Sequence, residues 1–202
     1  MTLGPDFFRP LYAVDPDPWS LASRWYEQRK YALTMASLTR PRYRHVFEPG
    51  CSVGVLTEHL AARCDRLLAW DLDPTARAQA GDRVRTWPNV TVHEGQVPAD
   101  WPVGRFDLVV LSEIGYYLGP DDLGLLVERA HDSLEPGGEL VLAHWRHEVP
   151  DYPGEADTVH AAFAAHQGLR ALAEHLEEDF RLDVLTRTPP APQSVAAREG
   201  LC

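Results

Sequence analysis

The run Val46-Phe47-Glu48-Pro49-Gly50-Cys51-Ser52-Val53-Gly54 constrains the fold of this chain more than any other stretch. It reads as a short buried strand ending in an acid, a turn through two glycines, and a helix beginning near Val53–Leu56. Such a turn presents free backbone N–H groups at a helix N-terminus, and glycine lets a ligand approach the main chain. Nucleotide-type cofactors bind at turns of this kind in open α/β sheets. The spacing acid-x-Gly-x-x-x-Gly differs from the dinucleotide pattern G-x-G-x-x-G, and Glu48 precedes the first glycine. That points to a cofactor carrying cationic or hydroxyl groups rather than a pyrophosphate.

Strands and helices alternate around this turn. His45–Glu48, Arg66–Trp70, Val90–His93, Phe106–Leu111 and Glu139–Ala143 read as strands. Helices are expected at Val53–Ala62, Pro74–Val84 (proline in its first turn), Asp121–Leu134 and Glu155–His166. Fully apolar strands alternating with helices imply a parallel sheet covered on both faces. Arg170–Leu176 and Phe180–Arg187 suit a closing antiparallel hairpin, although Leu169–Leu176 suits a helix equally by periodicity. Upstream, the first 20 or so residues, rich in Pro and Asp, are expected to be extended. A helix follows from Ser20, its N-cap, to Leu38. The expected organisation is an N-terminal segment and cap helix (1–40), one α/β domain (41–188) and a disordered Pro/Ala-rich tail (189–202).

A chain of 202 residues, 45% hydrophobic, can bury one full core. Its net charge of -11 and lack of a Lys/Arg run disfavour a nucleic-acid partner. Lys30 is the only lysine and alanine is abundant, which reads as the codon bias of a GC-rich genome. Cys51, Cys64 and Cys202 are too few and scattered for a disulfide framework. No basic-then-apolar leader opens the chain, and no apolar run approaches the ~18 residues of a membrane span. A cytoplasmic protein without membrane insertion is expected.

Ligands bind at the carboxyl edge of a parallel sheet, so the residues following each strand carry the chemistry. The first strand offers Glu48, Gly50, Cys51 and Gly54. The second offers Asp71, an acid about 20 residues beyond the glycine turn, spaced to accept both hydroxyls of a ribose; Asp73 competes for that role or caps the next helix. The third offers Gln96 and Val97, an amide and a backbone N–H suited to an adenine edge. Ser112, Glu113, Tyr116 and Tyr117 follow the fourth strand, and His144, Trp145 and His147 the fifth.

VFEPGCSVG, LLAWDLDP, HEGQVP, RFDLVVLSEIGYYL and LEPGGELVLAHW fall in the order and spacing of the class I S-adenosylmethionine (SAM)-dependent methyltransferases. Within that class the EPGCSVG turn, the SEIGYYL segment and the upstream DPW…WYEQRKYALT resemble the nodulation protein S group, over about Asp17 to Pro189. The resemblance implies a Rossmann-like, doubly wound, mostly parallel seven-stranded sheet with a C-terminal antiparallel hairpin and an N-terminal helical cap. It implies that Glu48 and Gly50–Gly54 hold the methionine half of SAM, Asp71 the ribose, and Leu72, Gln96 and Val97 the adenine. Ser112 and Glu113 would sit near the sulfonium, with Trp19, Tyr26 and Arg29 covering the cofactor and reaching its carboxylate. Ser52 departs from the class by replacing the usual second glycine of the turn, a feature the subgroup shares.

Methyl transfer from a sulfonium requires alignment above all. A hydroxyl acceptor also benefits from a general base, and His144, one residue past the fifth strand, is the candidate. Glu113 and Tyr117 would assist it, while Tyr116, Trp145 and His147 would contact the acceptor. The aromatic, acid-rich rim suits a saccharide. The expected function is therefore methylation of a sugar or sugar-derived acceptor in bacterial polysaccharide or glycolipid biosynthesis, with O-methylation favoured. A sugar N-methyltransferase of the nodulation type, which acts on the amino-sugar end of a chito-oligosaccharide, is the alternative. A nicotinamide-dependent oxidoreductase and a non-catalytic SAM-binding partner are more distant rivals. His144 and His147, with His160 and Asp157, make a weak metal pattern, and no metal is assigned.

Overall fold

The computed structural model describes residues 1–202. Its strands are β1 (Val46–Pro49), β2 (Leu67–Asp71), β3 (Val90–Glu94), β4 (Phe106–Ser112), β5 (Leu134–Trp145), β6 (Leu169–Leu176) and β7 (Phe180–Arg187). Its helices are α1 (Pro5–Val14), α2 (Trp25–Ser37), α3 (Val55–Ala61), α4 (Pro74–Val84), α5 (Pro120–Ser133), α6 (Ala156–Ala165) and α7 (Val195–Arg198). One seven-stranded sheet runs in the order β3-β2-β1-β4-β5-β7-β6. The first five strands are parallel, and β7 runs antiparallel between β5 and β6. Strand order reverses between β1 and β4, so a crevice opens beyond their carboxyl ends.

Alternation along the strands sorts the core into two layers. Phe47, Val109, Leu111, Leu140 and Leu142 pack against α5 and α6 through Leu126, Val127, Val159 and Phe163. Val46, Leu108, Val110, Val141 and Ala143 face α2 and α3 through Tyr31, Leu38, Leu56 and Leu60. Pro74–Val84 forms as expected because Asp73 accepts from the N–H groups of Thr75 and Ala76 and Pro74 fits the first turn.

Four expectations change. The N-terminal segment is helical from Pro5 to Val14 despite Pro10 inside it. Pro5 occupies the tolerated first position, and Phe8 and Tyr12, one turn apart, bury against Val53 and Ala76. Ser20 does not cap α2: it takes a left-handed φ of 57°, while Asp17 accepts from Leu21 and Ala22 N–H and holds a separate turn before α2 starts at Trp25. β5 begins at Leu134 because Leu134-Glu135-Pro136-Gly137-Gly138 joins the sheet through a register shift opposite Phe106/Leu108. The tail carries α7, and Arg198 donates to the carbonyl of Thr39. No helix is long and apolar enough to cross a membrane.

Candidate active site

The β1–α3 turn is shaped for close approach of a ligand. Gly50 has φ +73°, and a Cβ there would lie 2.3 Å from Ile114 Cγ2. Ser52 also takes a left-handed φ, 48°, which turns its N–H onto Asp71 Oδ2 at 2.8 Å. Its hydroxyl bonds the Tyr12 hydroxyl at 2.6 Å, tying α1 over the turn. Asp71 Oδ1 accepts from Asp73 N–H at 2.9 Å. The Asp71 carboxylate thus locks the turn from below and keeps lone pairs free, whereas Asp73 is spent on capping α4.

Beyond this turn lies a cavity of about 510 Å³ roofed by α1, the loop after it, and α2. Glu48, Gly50, Cys51 and Asp71 form its floor, and Leu72, Gln96 and Val97 one end wall. Trp19 and Tyr26 close it from above; Ser112, Glu113, Tyr116 and Trp145 line the opposite end, while Tyr117 packs beside Phe8 of α1. Burial pushes the Cys51 thiol well up, so the residue acts as a small packed side chain whose N–H serves the Trp70 carbonyl.

Glu48 is buried, and its Oε2 has no hydrogen-bond partner. Burial, with the Asp71 charge adding to it, raises its carboxyl from 4.5 to about 8. Between those values the folded protein holds a proton that the unfolded chain has released, so stability falls as pH rises through pH 4.5–8 and levels off above it. The stability difference between wild type and Glu48→Gln should therefore shift by up to about 1.4 kcal/mol per pH unit between roughly pH 5 and 7 in denaturant titrations. A difference that stays constant across that range would contradict a buried, raised Glu48.

The far end is organised by Glu113, which holds a left-handed φ of 59° after β4. Lys30 Nζ donates to its Oε1 at 2.5 Å, Trp145 N–H to its Oε2 at 3.0 Å, and the Tyr116 hydroxyl also to Oε2. Lys30 is 2% exposed, bonds Glu27 at 2.9 Å, and lies 5.1 Å from the Tyr26 ring centroid. Sequence reasoning missed Lys30 and Glu27, whereas Tyr152, expected in the aromatic rim, does line the cavity and stacks on Tyr116 at 5.2 Å. The available signal was an acid three residues before the chain's only lysine on an amphipathic helix.

Four candidates do not line the cavity. Gly54, with φ +79°, instead packs against α4, where a Cβ would meet the Ala80 Cα at 2.8 Å. Arg29 points away to a two-armed pair with Glu177 at 2.8 and 2.6 Å, and Arg24 reaches the cavity in its stead. His147 bonds Asp179 at 2.8 Å and rests on the Trp145 ring in a smaller neighbouring recess.

His144 is the main correction. It is fully buried, and Gly115 N–H donates to its Nε2 at 3.1 Å. Its Nδ1 therefore carries the proton and donates to His160 Nε2 at 3.1 Å, and His160 Nδ1 donates to Asp183 at 2.7 Å. Burial, with His160 and Lys30 adding to it, holds the imidazole neutral far below its usual range. Both nitrogens are occupied, so His144 anchors the Gly115–Tyr117 turn and has no lone pair for an acceptor proton. His144→Ala should cost roughly 3 kcal/mol, an orphaned N–H plus a cavity, yet leave the shape of the pH–turnover profile unchanged. Loss of an acidic limb from that profile would restore the histidine as a base.

Comparison with known proteins fits this geometry. The family model described as Nodulation protein S (NodS) matches residues 6–174. The nodulation protein S of Rhizobium tropici is 34% identical over 136 residues, 64% of this chain and 56% of that protein, so the chain spans little more than half of that relative. An N,N-dimethyltransferase of Streptomyces venezuelae named for dTDP-3-amino-3,4,6-trideoxy-alpha-D-glucopyranose is 29% identical over 144 residues, 67% of this chain and 59% of that one. The N-methyltransferase NodS of Bradyrhizobium japonicum WM9, crystallised with S-adenosyl-L-homocysteine (SAH), superposes with a TM-score of 0.80 at 25% identity, covering 92% of this chain and 98% of that chain. The chain belongs to the nodulation protein S (NodS) family.

Proposed function

We propose that this protein transfers a methyl group to the amino nitrogen of a sugar-type acceptor. What supports this is that neither His144 nor Glu113, the two base candidates at the acceptor end, is free to take a proton. His144 is walled off, and three donors already share the Glu113 charge, so Glu113 offers orientation rather than proton abstraction. An amine arriving neutral needs only alignment, whereas a hydroxyl needs a base. This reverses the preference for O-methylation, which rested on His144. The charged residues lining the cavity are four acids besides the protonated Glu48 (Glu27, Asp71, Glu113, Asp179) against Arg24 and Lys30, a balance that favours cationic ligands.

The residues suit SAM. The unpartnered buried Oε2 of Glu48 and the close approach at Gly50 suit an ammonium beside bare main chain. Asp71 has lone pairs left for ribose hydroxyls, Leu72, Gln96 and Val97 would bracket an adenine, and Arg24 would take the carboxylate in place of Arg29. When bound, SAM supplies an electrophilic methyl on a sulfonium. Glu113, Tyr116 and Trp145 orient the acceptor so that its nitrogen lone pair forms the new N–C bond as the C–S bond breaks and that electron pair stays on sulfur; the excess proton leaves to water. Tyr116, Tyr152 and Trp145 offer flat faces to a pyranose.

The test uses SAM carrying a labelled methyl group with two chito-oligosaccharide preparations, one bearing free amino groups and one fully N-acetylated. Label should enter the first and spare the second. Equal labelling of both would favour the hydroxyl reading.

A further inference from the structure

Lysine appears once among the 19 Lys and Arg residues of this chain, and that one lysine is almost fully buried at the acceptor end of the cavity. A chain that otherwise meets every need for positive charge with arginine retains lysine where the compact ammonium has a geometric advantage. Its three donors radiate from one atom and reach Glu27 on its own helix at 2.9 Å and Glu113 across the cavity at 2.5 Å. A planar guanidinium is longer and would push one carboxylate aside. The pairing also meets an unusual backbone, since Glu113 holds φ +59°, a left-handed conformation that non-glycine residues rarely adopt.

A carboxylate has about four lone-pair positions. Lys30 occupies one on Oε1, and Tyr116 with Trp145 occupies both on Oε2, leaving one on Oε1. We propose that Lys30 is a positioning residue for methyl transfer: bridging Glu27 and Glu113, it holds the Glu113 carboxylate so that its one remaining lone pair takes an N–H of the acceptor amine and aims the nitrogen. The idea rests on the amine reading above. It makes Glu113 a contact residue for the acceptor and Lys30 a residue that acts only through it.

The test is a double-mutant cycle of Lys30→Met and Glu113→Gln, with SAH affinity by calorimetry and transfer to an amine-bearing chito-oligosaccharide. Each single change should lower kcat roughly tenfold to a hundredfold with SAH affinity and the KM for SAM close to wild type, and the double variant should be no slower than the slower single. Multiplying losses, or SAH affinity falling in step with kcat, would overturn the proposal. If Lys30→Met does not fold, Lys30→Arg keeps the charge; its SAH-bound crystal structure should show Glu113 displaced, with kcat reduced. An undisplaced Glu113 with wild-type kcat overturns the role. If wild-type protein methylates no amine, the amine reading falls, and Glu113 undisplaced in the same Lys30→Arg structure still overturns the positioning role.

Discussion

Gly50→Ala is expected to abolish measurable SAH binding and to destabilise the protein by roughly 2–5 kcal/mol. Two costs add. The left-handed φ of +73° costs a Cβ-bearing residue about 1–2 kcal/mol. The methyl would also sit 2.3 Å from Ile114 Cγ2, and such overpacking costs typically about 1–3 kcal/mol. Ile114 follows Glu113, so relief by movement of Ile114 would drag the acceptor-side carboxylate with it. The measurement is SAH calorimetry paired with a thermal melt. Gly81, where an added Cβ meets nothing within 4 Å, supplies the control: Gly81→Ala should bind SAH normally.

Asp71→Asn is the second large effect. Asp71 uses one oxygen for Ser52 N–H and the other for Asp73 N–H, so its carboxylate closes the turn and the start of α4 at once. An amide retains one acceptor and turns a donor towards one of those N–H groups. Buried Asp71 also faces the cavity where ribose hydroxyls would be received. Losing a charged acceptor costs about 1.5–3 kcal/mol per bond, so SAH affinity should fall about tenfold to a hundredfold. Asp73→Asn, by contrast, should keep its cap, because asparagine is also a good N-cap residue, and should leave affinity within a few-fold of wild type. Comparable losses in both variants would mean that the helix start, rather than a ligand contact, carries the Asp71 effect.

The cofactor half of the site was legible because its determinants are local. A buried strand, an acid, two glycines and a helix occur within nine residues, and Asp71 follows from the next strand. The acceptor half depends on packing between distant elements, and there sequence reasoning strayed. His144 continues the Leu140–Leu142 row of β5 that faces α6, whereas Trp145 emerges on the α2 side. Alternation gives that parity, but only the placement of His160 and Asp183 shows that the histidine row is sealed. Arg29 and Lys30 are adjacent on α2 and point about a quarter-turn apart, so sequence alone does not say which one enters the cavity. The α1 helix escaped because two prolines mask a short segment whose order comes from Phe8 and Tyr12 packing onto the β1–α3 turn.

If the Glu48–Gly54 turn receives the ammonium of SAM, binding converts the buried Glu48 from its protonated to its ionised form. Titration calorimetry of SAH near pH 7 in two buffers of different ionisation enthalpy, phosphate and Tris, tests it directly. Binding should release a proton, giving buffer-dependent heats in the wild type that become equal in Glu48→Gln. Absence of SAH binding, or buffer-dependent heats of the same size in both proteins, would contradict it.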